Sequence, residues 1–334
     1  MSALARDLGR IAADTGFSGV VRVDGPERIE VIRAYGLADR AHAIPNTPET
    51  QFGTASGTKS LTALVIMRLV EEGALDLSTT ARSVLGADLP LVEERVTVEH
   101  LLAHRSGIGD YLDEELEGDL PEYPMPVPVQ QLATTEAYLA VLDGHPQKFV
   151  PDERFGYCNS GYVLLALIAE RTATSPFPDL VRDLVCAPAG MADTAFLRSD
   201  DLPGRAAIGY TQVDGDWRTN VFHLPVRGTG DGGIYTTAAD VAAFWRALFA
   251  GSIVRASTLA EMIRERSAAR PDRAYGLGFW LPAGSGAVQM EGGDVGVAFR
   301  SVHDPDRLKT WTLISNTREG IREMGARIAQ EHTV

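Results

Sequence analysis

Apolar positions recur along this chain with two periods, and the change of period divides it. A helical spacing over residues 3–14 predicts an amphipathic helix. Two strand-like runs follow, near 17–24 and 28–36, joined by the turn Asp24-Gly25-Pro26. The pattern then turns helical over 57–73, 97–104, 130–142, 159–172 and 177–186. Strand-like runs return near 206–212 and 217–222, ahead of helical stretches at 238–250 and 256–265. Three further strand-like stretches, 275–281, 286–291 and 297–303 with 308–315, are the last of these; the final stretch turns at Asp304-Pro305-Asp306-Arg307 and leads to a helix over about 318–331. Strands near both ends with helices between them predict an α+β fold. In it an antiparallel β-sheet is flanked by terminal helices, and an all-helical subdomain is inserted. The expected boundaries are 1–50 and 205–334 for a discontinuous sheet subdomain and 51–204 for the helical one, with the active site between them. The acidic, Pro-rich segment 110–130 reads as a loop beside that site.

Composition narrows the function. The net charge is −14 and the pI about 5.0, which argues against nucleic acid or an anionic membrane surface as partner. No apolar run reaches the length of a membrane span. The start, Met1 to Leu8, has neither a basic nor an apolar leader region, so the expected location is cytoplasmic, a removed leader being the alternative. Cys158 and Cys186 read as free, buried thiols.

The candidate chemistry begins at Ser56-Gly57-Thr58-Lys59, which opens the apolar run Leu61 to Met67. A serine at a helix start lies near unpaired N–H groups, and a lysine three residues on shares its helix face. A neutral lysine can take the serine proton, whereas arginine stays charged. Of the 31 basic residues only Lys59, Lys148 and Lys309 are lysines, and one of them stands three residues from this serine. Further on, Tyr157-Cys158-Asn159 precedes an apolar helix, and Glu291-Gly292-Gly293 ends a strand-like run.

Ser-x-x-Lys, Tyr-x-Asn and a late strand ending in a Gly pair resemble, in order and spacing, the penicillin-recognising serine hydrolases. Within them the chain is most similar to the class C β-lactamase, D,D-peptidase and family VIII esterase branch. The stretches Leu101 to Ile108, Phe149 to Phe155, Gly232 to Val241 and Tyr275 to Phe279 extend the resemblance over nearly the whole chain. It implies the same fold and an acyl-enzyme on Ser56, with Lys59 and Tyr157 sharing the proton handling. A phenol beside the Lys59 ammonium is expected to have its pKa lowered; which of the two is the base stays open. Asn159 orients Lys59, Gly292 and Gly293 let the strand approach substrate, and the N–H groups of Ser56 and Asp294 form the oxyanion hole. One departure stands out. The family's third motif begins with Lys or His, and here it is Glu291. A carboxylate facing the substrate there repels anionic β-lactams and favours neutral or cationic esters and amides.

The expected activity is therefore that of a carboxylesterase-type serine hydrolase acting on a small ester or amide, without cofactor or metal. An acyltransferase, a β-lactamase or D-amino-acid peptidase, and a non-catalytic binding homologue are the alternatives. The oligomeric state is left open. His100 and His104 have the spacing of a zinc helix but lack the accompanying Glu and a third ligand, so they read as packing or loop residues. The run Gly228 to Gly233 reads as a tight turn near the site rather than a phosphate cradle.

Overall fold

The structure, a computed structural model, describes residues 2–115 and 125–332. The middle of the segment read as a site-flanking loop, residues 116–124, lies outside that range. Eight antiparallel strands form one sheet: β1 (Gly19–Asp24), β2 (Ile29–Tyr35), β3 (Ser267–Arg270), β4 (Arg273–Tyr275), β5 (Trp280–Pro282), β6 (Val288–Asp294), β7 (Val297–Asp304) and β8 (Lys309–Ser315), in the order β2-β1-β8-β7-β6-β5-β4-β3. The first hairpin thus joins the last through β1 and β8, with Gly19 opposite Ser315 and Asp24 opposite Thr310.

Helix α1 (Ala3–Thr15) starts at Ser2, whose hydroxyl accepts from the Ala5 N–H, and ends at Gly16 with φ 73°. Its apolar stripe, Leu4, Leu8 and Ala12, packs with Met324 and Ile328 of the C-terminal helix (Ile321–His332) over Val21, Val23 and Leu313. The larger core lies on the other side of the sheet. There α2 (Thr58–Glu71) and α3 (Asn159–Ala173) are buried along most of their length, which explains why neither shows a clean polar face. Helix α4 (Ala238–Phe249) packs Trp245 beneath the sheet, its indole N–H donating to Ser301. The fold is α+β, as the pattern predicts.

Three stretches depart from expectation. The predicted helix 130–142 is two 3-10 turns, Val129–Gln131 and Thr135–Tyr138, followed by the single helical turn Leu139–Leu142. The carbonyls of Val129 and Leu132 are taken by the N–H groups of Val226 and Arg227, and Thr134 caps the second turn instead of continuing the first. The strand-like run 275–281 is split between β4 and β5, and the outermost strand β3 is additional to the predicted ones. The predicted strands 206–212 and 217–222 form only a separate hairpin, Tyr210–Val213 with Asp216–Thr219, outside the large sheet.

Candidate active site

The chain enters the site from the short strand Phe52–Gly53, turns through the 3-10 turn Ala55–Gly57 and continues as α2. Ala55 holds φ +45°, an uncommon conformation for a residue with a Cβ. Surrounding bonds impose it: Thr54 N–H to Ile234 O (2.9 Å), Gly57 N–H to Thr54 O (2.9 Å) and the Thr58 hydroxyl to Ala55 O (2.8 Å). The result presents Ser56 on a rigid corner just before the helix.

Lys59, one turn on, is 2% exposed. Its Nζ donates to Ser56 Oγ (2.9 Å), Asn159 Oδ1 (2.8 Å) and the Asp231 carbonyl (2.7 Å). In the charged form the three partners take all three protons; in the neutral form Asn159 and the Asp231 carbonyl hold the two N–H groups and the lone pair is left facing Ser56 Oγ. Tyr157 hydrogen-bonds Ser56 through its hydroxyl, and its ring centroid lies 5.0 Å from Lys59 Nζ. The expected lowering of the phenol's pKa is not found. Burial, followed by the charge of Glu114, pushes it well above its ordinary value, so the resting phenol keeps its proton. Trp280 stacks on Tyr157 with centroids 6.1 Å apart, and the Arg273 guanidinium covers the Trp280 ring at 4.4 Å.

Asn159 is the first residue of α3, but its side chain is not the helix cap. Asp110 takes that role from a distant loop, accepting from the Asn159 N–H (2.7 Å) and the Ser160 N–H (2.8 Å), and burial pushes its carboxyl up to about 6. Asn159 is left free to face Lys59, and its Nδ2 donates to Leu112 O and Glu114 Oε1 (3.2 Å). Between Tyr157 and Asn159, the Cys158 thiol is buried and held well above its ordinary pKa, so it is no thiolate nucleophile.

Strand β6 closes the other side. Its backbone passes so near the corner that a Cβ on Gly292 would stand 2.7 Å from the Ser56 nitrogen. Met290, Gly292 and Asp294 share the face toward the helices; Glu291 and Gly293 alternate to the other. Glu291 is not among the cavity-lining residues. Its carboxylate accepts from Arg273 (2.8 Å) and Gln289 (2.6 Å) and pairs with Arg300 (3.0 Å). The expectation that Glu291 meets the substrate is therefore corrected: strand parity and two arginines hold it aside.

The cavity beside Ser56 is nonetheless acidic. Glu114, Asp231 and Asp294 line it, with Leu112, Tyr138, Leu224 and Val297 as apolar wall; among the described residues no Lys or Arg lines it. Asp231 accepts from Tyr111 (2.5 Å). Burial raises the Asp231 carboxyl, and burial together with the charges of Asp231 and Glu114 pushes Asp294 up to about 7. Tyr111, Glu114 and Asp231 were not singled out individually in the sequence; the acidic segment 110–130, read as a loop beside the site, and the glycine-rich run around Asp231 pointed near them. His100 accepts from the Thr97 N–H in a capping box, and His104 accepts from the Cys158 N–H, the loop hydrogen bonds expected of them.

A serine on a strained corner, touched by a buried lysine and a tyrosine, beneath a strand of the sheet, is the arrangement of a serine hydrolase. The chain belongs to the beta-lactamase family, whose profile matches residues 4–333. A solved penicillin-binding protein from Bacillus halodurans superposes with a TM-score of 0.91 at 34% identity, over 97% of this chain and 99% of that one. The D-amino acid amidase of Ochrobactrum anthropi SV3, complexed with D-phenylalanine, gives 0.82 at 25% identity, covering 98% of each. Esterase EstB of Burkholderia gladioli is 33% identical over 196 residues, 53% of this chain and 46% of that protein. The chain spans 64%, 69% and 46% of the length of the first three curated relatives it matches. No described helix is long and apolar enough to cross a membrane.

Proposed function

We propose that the protein cleaves an ester or amide through an acyl-enzyme on Ser56, and that it favours substrates whose acyl part is neutral or bears an ammonium group. The observation that carries the reading is the shared contact of Lys59 and Tyr157 with Ser56 Oγ. Lys59, in its neutral form, takes the Ser56 proton as Oγ adds to the carbonyl carbon. The N–H groups of Ser56 and Asp294 receive the oxyanion, each such donor being worth about 3–4 kcal/mol. Tyr157, protonated at rest, gives its proton to the departing alkoxide or amine and regains one from the lysine. Water then repeats the sequence on the acyl-enzyme. The carboxylates of Glu114 and Asp231, joined by Asp294 once the pH exceeds about 7, supply the charge preference that the sequence assigned to Glu291. They set a potential against anionic groups and in favour of cationic ones, at a few kcal/mol per close pair for an effective dielectric near 20. The ligand named for the amidase neighbour, an amino acid, suits such a cavity.

A fluorophosphonate probe should label Ser56 and fail on Ser56→Ala, with turnover lost in the same variant. A p-nitrophenyl ester of an amino acid should be cleaved at least about tenfold faster, in kcat/KM, than its N-acetyl form, and a chromogenic cephalosporin more slowly than either. Label on Cys158 or on Ser56→Ala would remove the nucleophile assignment. A cephalosporin as the best of the three substrates would remove the charge preference.

A further inference from the structure

His104 lies behind the site, away from the cavity lining, yet it grips the chain on both sides of Tyr157. Its carbonyl accepts from the Gly156 N–H at 2.9 Å, and its Nδ1 accepts from the Cys158 N–H at 3.1 Å. Its ring lies 4.4 Å from the Tyr157 ring, centroid to centroid, tilted by 35°. Other aromatic rings around it are Tyr162 at 4.9 Å, Tyr275 at 4.8 Å and Phe155 at 5.8 Å, and the Lys59 charge also reaches it. The residue is 1% exposed and adopts φ +55°, a left-handed conformation uncommon for residues other than glycine, although histidine is among those that enter it more readily. That turn is what lets one residue offer its carbonyl to 156 and its imidazole to 158. Accepting at Nδ1 fixes the proton on Nε2, which is buried with no hydrogen-bond partner among the described residues. Ring stacking alone would not require the imidazole's acceptor, and a packing residue would not require the strained turn.

We infer that His104 is a positioning residue for Tyr157: through Nδ1 and its left-handed backbone it sets where the phenol meets Ser56. The inference rests on the reading of Tyr157 as the proton donor. An error of about 1 Å in such a group costs on the order of a hundredfold in rate. His104→Gly keeps the backbone conformation and removes the acceptor, whereas His104→Asn keeps the conformation and offers Oδ1 to the Cys158 N–H.

The experiment is a double-mutant cycle with Tyr157→Phe, read as kcat and KM for a neutral p-nitrophenyl ester at a temperature where every variant is folded by circular dichroism. His104→Gly should lower kcat by about thirtyfold with KM within about twofold, and His104→Asn should recover most of the loss. In the Tyr157→Phe background, His104→Gly should change kcat by less than about threefold, because the group it places is gone. If His104→Gly does not fold, His104→Phe, which keeps a ring and lacks the acceptor, takes its place. An equal loss in both backgrounds, or no recovery by His104→Asn, overturns the positioning role while leaving Tyr157 as donor. A Tyr157→Phe enzyme with the wild-type rate overturns the donor reading and the positioning role together.

Discussion

Gly292→Ala is the most direct test of how closely β6 abuts the nucleophile. The added Cβ would stand 2.1 Å from the Thr54 carbonyl oxygen and 2.7 Å from the nitrogens of both Ser56 and Gly57. Carbon and carbonyl oxygen ordinarily approach to about 3.3–3.6 Å, so strand and corner must separate by roughly 1 Å. All three clashing atoms are backbone, so no side chain can rotate to relieve them. Overpacking of this kind costs about 1–3 kcal/mol of stability, whereas moving the nucleophile corner by that distance costs about a hundredfold in rate. The variant should fold with a modestly lowered Tm, lose fluorophosphonate labelling at Ser56, and turn over a neutral ester at about one per cent of the wild-type rate. Gly293→Ala is the control for folding, because a Cβ there meets nothing within 4 Å and the backbone is not in the left-handed region. A Gly292→Ala protein with unchanged Tm and full labelling would falsify the close approach and the oxyanion-hole geometry built on it.

Lys59→Arg should lose at least about a hundredfold in kcat, as much as Lys59→Ala, because guanidinium has no accessible neutral form; a variant near wild-type rate makes Lys59 a structural cation. Asp294→Asn tests the raised carboxyl. With its pKa at about 7 in the folded state and near 4 when unfolded, Asp294 retains a proton on folding between those values, so wild-type stability falls as pH rises from 4 to 7. The Asn variant should lack that slope, gaining at most about 4 kcal/mol at pH 8 relative to pH 4 in urea unfolding; parallel curves would place the carboxyl in water. Glu291→Gln should leave the ratio of cephalosporin to ester kcat/KM within about threefold of wild type, because two arginines already screen that carboxylate; a tenfold shift would return it to the substrate.

Much of the fold was written in local pattern. The helix 3–14 and the strands around 17–36 and 286–315 announce themselves by a period that survives, whereas helix 159–172, buried nearly all round, announces itself by the length of its apolar run. Strand β3 was hidden because Ser267-Ala268-Ala269-Arg270 has no apolar alternation, being an edge strand held by its pairing with β4. The broken helix 130–142 failed for the converse reason: its apolar spacing is helical, but carbonyl partners nearly a hundred residues away compete for its backbone. At the site, Ser56, Lys59, Tyr157 and Asn159 were readable as residues with chemistry in a fixed order. Asp110, Tyr111, Glu114 and Asp231 were not, since nothing in a loop's sequence states which carboxylate will cap a helix and which will line a cavity. Glu291 was misplaced although its own neighbours held the answer. Met290 is apolar, and strand parity sends Gly292 with it to the helical side and Glu291 to the other.

The pairing of β1 with β8 also has a kinetic consequence. Emerging from the ribosome, the hairpin of residues 19–35 exposes an open hydrogen-bonding edge that its neighbour, residues 309–315, cannot cover until the chain has been made through residue 315. The helices α2 to α4 all precede residues 309–315 in the chain and can begin to condense first; β1 and β8 pair later, by a contact nearly three hundred residues apart. During that interval Val21 and Val23 lack both the strand beside them and the helix Ile321–His332 that shields them, so the nascent chain is most prone to self-association before residues 309–332 have emerged.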